Sequence, residues 1–369
     1  MNRHKSDTEP KRIDAVITWV DGSDPEHRKR RLTALKQNRL NECPDSRTEP
    51  VTTANVEEVR AESEPSHPQT VPIGTTLHAG TDEARFSDNG ELGYCIAGIR
   101  TFAPWIDRIY LVTDGQVPSF LTPERQKELN VRIVDHKVIF AGYEWALPTF
   151  NSRTIETAVW RIPDLSPHFI YFNDDFILTG PVRREEFFRD GKVISHGVQK
   201  RMHTYGPLRM KFSKTMNLLV KKVLGINRTM HHLQQIRSAQ AAGFRNRYFR
   251  LFHMPHSLRK TTLETFFREN PELFENNIRY PFRDTNQFSA VFLGSSLEFN
   301  LGAMELTVPE GMLMINGETD RGIWMRRKLK RLASGDVRFL CLQSFEQLPE
   351  KWRQRIEYVL QESLGLKPV

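Results

Sequence analysis

Short apolar runs alternate with stretches of helical period through most of the first half of the chain. Ile13–Val20 (IDAVITWV) reads as a buried strand, and the turn DGSDPEH after it leads into a basic helix, HRKRRLTALKQNRL. Apolar periodicity is lost across 41–82, where Pro, Thr, Ser and Glu dominate, and this segment is expected to be a mobile loop or lid. Order resumes at Arg85. ELGYCIAGIRTFAPW (91–105) predicts a helix ending near Pro104, RIYLVTDG (108–115) a strand closed by a turn at Asp114-Gly115, and VRIVDH (131–136) another strand. SRTIETAVWRI (152–162) predicts a helix capped by Asn151 or Ser152, and HFIYFNDDFIL (168–178) the next strand. Strands alternating with helices at this spacing predict an α/β fold with a mainly parallel sheet.

The second half is patterned for helices. PLRMKFSKTMNLLVKKVLGI mixes apolar and cationic positions as an amphipathic helix does. HMPHSLRKTTLETFFRENPELF (253–274) predicts one capped helix, and LPEKWRQRIEYVLQESLG a closing helix with a Gly stop. The 369 residues suffice for one large domain with insertions, or for two.

The net charge of +8 matters because it is concentrated. Between Lys200 and Arg250 lie twelve Lys or Arg and no Asp or Glu. A solvated helical face mixes signs, so this block would attract an anionic polymer, an anionic membrane surface or nucleic acid, unless it pairs with acids elsewhere in the fold. No apolar run approaches the ~18 residues of a membrane span. MNRHKSDTEPKR has no apolar signal-peptide core, so a cytoplasmic location is expected, peripheral to the inner membrane if the basic block touches lipid. Cys43, Cys95 and Cys341 lie too far apart to read as a disulfide framework or zinc cluster, and free thiols fit a reducing compartment.

Candidate chemistry gathers at strand ends. In parallel α/β sheets ligands bind outside the carboxyl ends of the strands. Three predicted strands end in polar groups: Asp21, Gly22, Ser23 and Asp24; Thr113, Asp114, Gly115 and Gln116; Asn173, Asp174 and Asp175. Carboxylates at one rim suit a hard divalent cation such as Mg²⁺ or Mn²⁺, which commonly holds nucleotide phosphates. Acidic turns are also common without a metal, so the Asp pair carries weight only beside the other two ends. In HMPH, His253 and His256 are three apart across a proline, which disfavours a His-only metal site. A general base, a phosphate donor and a structural histidine at a helix N-terminus all remain open for them. Neither a P-loop nor a GxGxxG fingerprint is present, so kinase-like and dehydrogenase-like readings lose support.

Four stretches resemble the Stealth family, the sugar-1-phosphate transferases of bacterial capsule synthesis, which are related to the catalytic subunit of lysosomal-enzyme N-acetylglucosamine-1-phosphotransferase. They are IDAVITWVDGSD (13–24), RFSDNGELGYCIAGIRTFAPWIDRIYLVTDGQVPSFL (85–121), LPTFNSRTIETAVWRIPDLSPHFIYFNDDFIL (147–178), and HMPHSLRK (253–260) followed by YPFRDTNQF (280–288). The resemblance implies a Rossmann-like, nucleotide-sugar-binding core similar to A-type glycosyltransferases, helical insertions and a divalent cation. It implies transfer of a sugar-1-phosphate, an N-acetylhexosamine-1-phosphate for instance, from a UDP-sugar to a hydroxyl of a growing anionic polysaccharide, with UMP leaving. Asp174 and Asp175 match metal ligands, or one of them assists the acceptor. Asp21 and Gly22 match the nucleotide side, and Arg85, Asp88 and Glu91 the second stretch. Asn151, Ser152 and Glu156 match positions near the sugar or phosphates. Arg283 would stabilise the transferred phosphate, with His253 the first candidate base and Asp175 the second.

On this reading 1–369 is one catalytic domain, with 41–82 as lid, 200–250 as a basic helical insertion and 253–369 completing the active site. Contact with capsule assembly proteins would follow, and no nucleic-acid role. The chain departs from the family pattern at Ala97, where Arg is frequent, at Asp114 in TDGQ for TNGQ, and at Cys341, Leu342, Gln343 and Ser344 for CLND. The alternatives are an ordinary metal-dependent glycosyltransferase releasing UDP and a non-catalytic polyanion-binding protein.

Overall fold

The computed structural model describes residues 12–42, 90–202 and 229–366. Most of the expected 41–82 loop and the centre of the basic block, with Lys211, Lys214, Lys221 and Lys222, lie outside the described residues, as do Arg85 and Asp88.

Along the chain run β1 (Ile13–Thr18), α1 (Pro25–Glu42), α2 (Glu91–Phe102), β2 (Ile109–Thr113), α3 (Pro123–Glu128), β3 (Val131–Asp135), α4 (His136–Ile139), α5 (Ser152–Ala158) and β4 (His168–Asn173). Then come β5 (Phe176–Leu178), β6 (Phe188–Arg189), β7 (Lys192–Arg201), α6 (Thr229–Ala241), β8 (Arg247–Leu251) and β9 (His256–Arg259). The last part holds α7 (Lys260–Glu269), α8 (Pro271–Ile278), α9 (Ala290–Asn300), β10 (Met304–Thr307), β11 (Met312–Asn316), α10 (Gly322–Ala333), β12 (Phe339–Gln343) and α11 (Glu350–Leu364).

The main sheet has the order β3-β2-β1-β4-β9. The first four strands are parallel and β9 adds antiparallel to β4, with His256 opposite Tyr171. The expected mainly parallel α/β sheet is therefore present. Both faces are covered, and the strands divide their side chains between two cores by simple alternation. Val16, Tyr110, Val112, Phe169 and Tyr171 join the core on one face. Ile13, Ala15, Ile17, Ile109, Leu111, Ile170 and Phe172 join the core on the other. Asp14 is fully buried within β1, and its charge is met by Arg12 on both carboxylate oxygens (3.0 and 2.8 Å) and by the N–H of Ser166 (2.8 Å).

Two smaller sheets complete the fold: β10-β7-β6 with β8 paired to β7, and β11-β12-β5. The third sheet packs its own core against α10 and α11 through Leu313, Ile315, Met325, Leu329, Ile356 and Leu360. Helix α2 lies close on β5. A Cβ on Gly98 would come within 2.6 Å of the Leu178 carbonyl oxygen, so this approach needs glycine.

Four sequence expectations change. HFIYFNDDFIL is two strands in two sheets, β4 and β5, broken at Asp174-Asp175. HMPHSLRK is not helical: His256–Arg259 form the edge strand β9, because β4 still has a free edge there, and the helix starts only at Lys260. That helix breaks at Asn270-Pro271, where the proline opens a second one. The basic block is not purely helical. Its described flanks include β7 and β8, which pair antiparallel from Gly197–Leu251 to Arg201–Arg247.

Candidate active site

The turn between β4 and β5 carries the chain from one sheet to another. Asn173 is the last ladder partner of Thr18 in the main sheet, and Phe176 already pairs with Cys341 in the third. The Leu342 N–H donates to the Asp175 carbonyl at 3.0 Å, fixing the turn. The Asp175 side chain is thus held where the two sheets meet. Its Oδ2 faces His253 Nε2 at 3.8 Å and accepts from the Cys341 thiol, with Sγ at 3.6 Å. His253 arrives from the loop between β8 and β9, its ring edge-on to Phe176 at 4.8 Å and 86°.

Helix α5 supplies the opposite wall. Asn151 caps it, accepting from the Arg153 N–H at 3.1 Å, and donates through Nδ2 to the Tyr280 carbonyl and Gln287 Oε1. Asn151 is fully buried and ties α5 to the 280–287 loop. That loop carries Arg283, whose Nη2 donates to Ser152 Oγ at 2.7 Å. One turn into α5, buried Glu156 accepts from Ser289 Oγ at 2.7 Å. Arg283 acts electrostatically on Glu156, Tyr171, Asp175 and His253, so these groups share one field. The Tyr171 hydroxyl sits between Thr18 Oγ1 (2.8 Å) and Asn173 Oδ1 (3.2 Å) at the carboxyl ends of β1 and β4.

Burial moves these groups in a consistent sense. It pushes Asp175 above the usual carboxylate range, opposed by the positive charge available on His253 and by the Cys341 hydrogen bond. It pushes His253 below its usual value, opposed by Asp175. Burial also raises Glu156, with Ser289 and Arg283 opposing, and holds the Cys341 thiol well up, so that it stays protonated. The result is an imidazole biased toward its neutral form beside Asp175, with a guanidinium nearby.

A divalent cation fits this turn in one respect. Asp175 Oδ1 is buried and meets no hydrogen-bond donor, which suits an electropositive neighbour, and Asp174 adds a second carboxylate next in the chain. Asp175, His253 and Cys341 also bring a carboxylate, a nitrogen and a sulfur within 4.8 Å of one another. The protonated thiol makes that sulfur a poor partner for a hard ion, so the oxygen donors are the ones that fit Mg²⁺ or Mn²⁺.

A second hollow adjoins, after β1 and β2. It measures about 610 Å³ and is lined by Trp19, Asp21, Asp24, Arg30, Asp114 and Gln116, among others. Gln116 bridges the two strand ends, accepting from the Asp21 N–H at 3.0 Å and donating to Asp24 Oδ2 at 2.8 Å. Gly22 occupies the turn here, and Arg30 pairs with Asp114 at 2.6 Å. Glu91 is buried in the first turn of α2, one turn before Cys95, whose thiol reaches the Asn173 carbonyl at 3.8 Å. The structure thus brings Asp175, His253, Arg283, Ser152 and Glu156 together, and sets Asp21, with Gly22 next to it in the chain, at the hollow after β1 and β2.

Gln116 was among the polar groups expected at the second strand end, whereas Tyr171 and the thiol of Cys341 were not singled out as parts of this group. Tyr171 carried a readable signal, a phenol two positions before Asn173 on the same strand face. Cys341 did not, because its strand reaches Asp175 only through the third sheet.

Residues 11–39 match Stealth protein CR1, conserved region 1, and residues 85–196 match Stealth protein CR2, conserved region 2. The capsular polysaccharide phosphotransferase LcbA of Aeromonas hydrophila is 37% identical over 190 residues, 51% of this chain and 42% of that protein. LcbA of Neisseria meningitidis is 32% identical over 57% of this chain and 48% of its own length. The exopolysaccharide phosphotransferase CpsY of Mycobacterium tuberculosis is 29% identical over 94% of this chain and 55% of that one. The chain spans about half the length of these relatives. Among solved structures, mouse xyloside xylosyltransferase 1 aligns at 14% identity with a TM-score of 0.31, over 69% of this chain and 91% of that one, too distant to bear on the fold. The chain therefore carries two conserved regions of the Stealth proteins, CR1 followed by CR2.

Proposed function

We propose that this protein transfers a sugar-1-phosphate from a UDP-sugar to a hydroxyl of a capsule-type polysaccharide. The observation that carries the reading is the convergence of His253, Asp175 and Arg283, from three separate chain segments, where the β4–β5 turn leaves the main sheet. Relatives named as capsular and exopolysaccharide phosphotransferases support it.

In this mechanism the acceptor hydroxyl gives its proton to His253 Nε2, and its oxygen attacks the β-phosphorus. The bond from that phosphorus to the bridging oxygen breaks, the electron pair leaves with UMP, and the sugar keeps its anomeric bond. Phosphoryl transfer is governed by positioning and charge stabilisation. Arg283, steadied by Ser152 and Glu156, would face the equatorial oxygens. The imidazolium formed on His253 would be balanced by Asp175 Oδ2. A divalent cation held by Asp174 and Asp175 Oδ1 would neutralise charge developing on the departing phosphate. The hollow lined by Asp21 and Gln116, with Gly22 at its turn and Glu91 nearby, is the proposed nucleotide side.

The test is the identity of the released nucleotide. Purified protein with Mg²⁺, a panel of UDP-sugars and a capsule oligosaccharide should release UMP and form a phosphodiester. Release of UDP would make it a glycosyltransferase carrying Stealth regions. Release of neither, with donor binding intact by calorimetry, would leave a binding role.

A further inference from the structure

We infer that helix α10 docks the protein on a phospholipid surface bearing anionic headgroups. The helix, GIWMRRKLKRLA, buries Met325, Leu329 and Leu332 against the third sheet. At about 100° per residue, Ile323, Trp324, Arg326, Arg327, Lys330 and Arg331 fall on a single outward arc of about 160°. All six are exposed, Ile323 at 60% and Trp324 at 63%.

Two features of this arc belong to a bilayer interface rather than to a merely solvated face. First, its charges have one sign. The helix contains no acid, and among the described residues the four outward cations form no ion pair with a carboxylate, whereas inward-leaning Lys328 is paired with Asp320 at 2.6 Å. Second, its first turn presents an indole and an isoleucine side by side, with Arg327 over the Trp324 ring at 5.2 Å. Leaving both apolar groups in water beside four cations is unfavourable on a free surface. It is the composition of a helix that lies in the headgroup region, apolar tip in the acyl boundary and cations against phosphate. A soluble polyanion would use the cations but has no place for a protruding Ile-Trp pair, which is why lipid is the better occupant.

The placement is also suited to it. Helix α10 follows the carboxyl end of β11, where Asn316 Nδ2 donates to Gln343 Oε1 at 2.8 Å, two residues beyond the Cys341 that touches Asp175. The docking tip therefore shares a rim with the candidate active site, and docking would hold that site close to the lipid surface.

Vesicle co-sedimentation of the full chain tests this. Phosphatidylcholine vesicles with about 30% phosphatidylglycerol should bind it, and pure phosphatidylcholine should not. Substituting Arg326, Arg327, Lys330 and Arg331 together by Gln should weaken binding about a hundredfold or more. Ile323→Ser with Trp324→Ser should weaken vesicle binding about tenfold while leaving heparin binding unchanged. Brominated lipid should quench the fluorescence, and Trp324→Phe should remove most of that quenching. Equal binding to both vesicle types, undiminished binding in the four-charge variant, or quenching that survives Trp324→Phe would each overturn the proposal. Parallel loss of heparin and vesicle binding in the Ile323/Trp324 variant would assign the face to a polyanion instead.

Discussion

His253 and Asp175 form one coupled unit, and their substitution should separate chemistry from folding. His253→Ala is expected to lower kcat about 10²–10⁴-fold, with donor affinity and far-UV circular dichroism unchanged; near-normal turnover would remove it as the base. Burial lowers His253 below the ordinary imidazole value of about 6.5 and raises Asp175 above the usual carboxylate range. A base with a depressed value stays unprotonated, hence competent, to lower pH. The acid limb of kcat/KM should therefore lie below pH ~6.5 and belong to the pair; a limb at or above that value would contradict the assignment. Arg283 sits beside buried Glu156. Glu156→Gln removes one of the negative charges acting on that guanidinium, perturbs the buried bond to Ser289, and should destabilise the fold by about 1–3 kcal/mol by chemical denaturation. Much of this site was legible in single residues. The Asp pair and His253 stood out as polar groups in their surroundings, whereas Arg283 was marked only by the family resemblance. Asn151 reads differently in space: it is fully buried and its hydrogen bonds are spent on Tyr280 and Gln287, which makes it a positioning residue for the loop that carries Arg283. No local pattern announces that use.

At the scale of elements, the strands of the main sheet were legible because their alternation is unbroken and each is followed by a helix or turn signal. The exceptions share a cause. HSLR has too few residues to show a period, and it becomes a strand only because the edge of β4 is available to it. FIL continues the apolar run of β4, and only pairing with β12 assigns it to another sheet. Non-local pairing outweighs local pattern in both. The contact of α2 with β5 offers an element-level test. Gly98→Ala places a methyl 2.6 Å from the Leu178 carbonyl oxygen, so the helix must shift off the strand. A loss of about 1–3 kcal/mol is expected, read as a lower Tm, together with reduced turnover because β5 leads directly out of Asp175. An unchanged Tm would show that this packing yields freely.

For the whole molecule, on the proposed function, the excess of positive charge bears on how an anionic acceptor would be held. Raising salt from about 0.05 to about 0.5 M should increase KM for a long anionic acceptor severalfold and leave kcat on a short one nearly unchanged, because screening acts on extended contacts. An equal effect on both would move the relevant charges into the site. The three-sheet arrangement could not be read from the sequence, since β11, β12 and β5 come from distant segments. It also gives the β4–β5 turn a mechanical meaning. Asp175 belongs covalently to a joint, with His253 arriving beside the main sheet and Cys341 riding on the third. Turnover should then behave as a gauge of how firmly these two bodies are seated: a loosened core under α11 would dim the reaction while every helix and strand is still in place, and a cation lodged at the joint would act as a rivet.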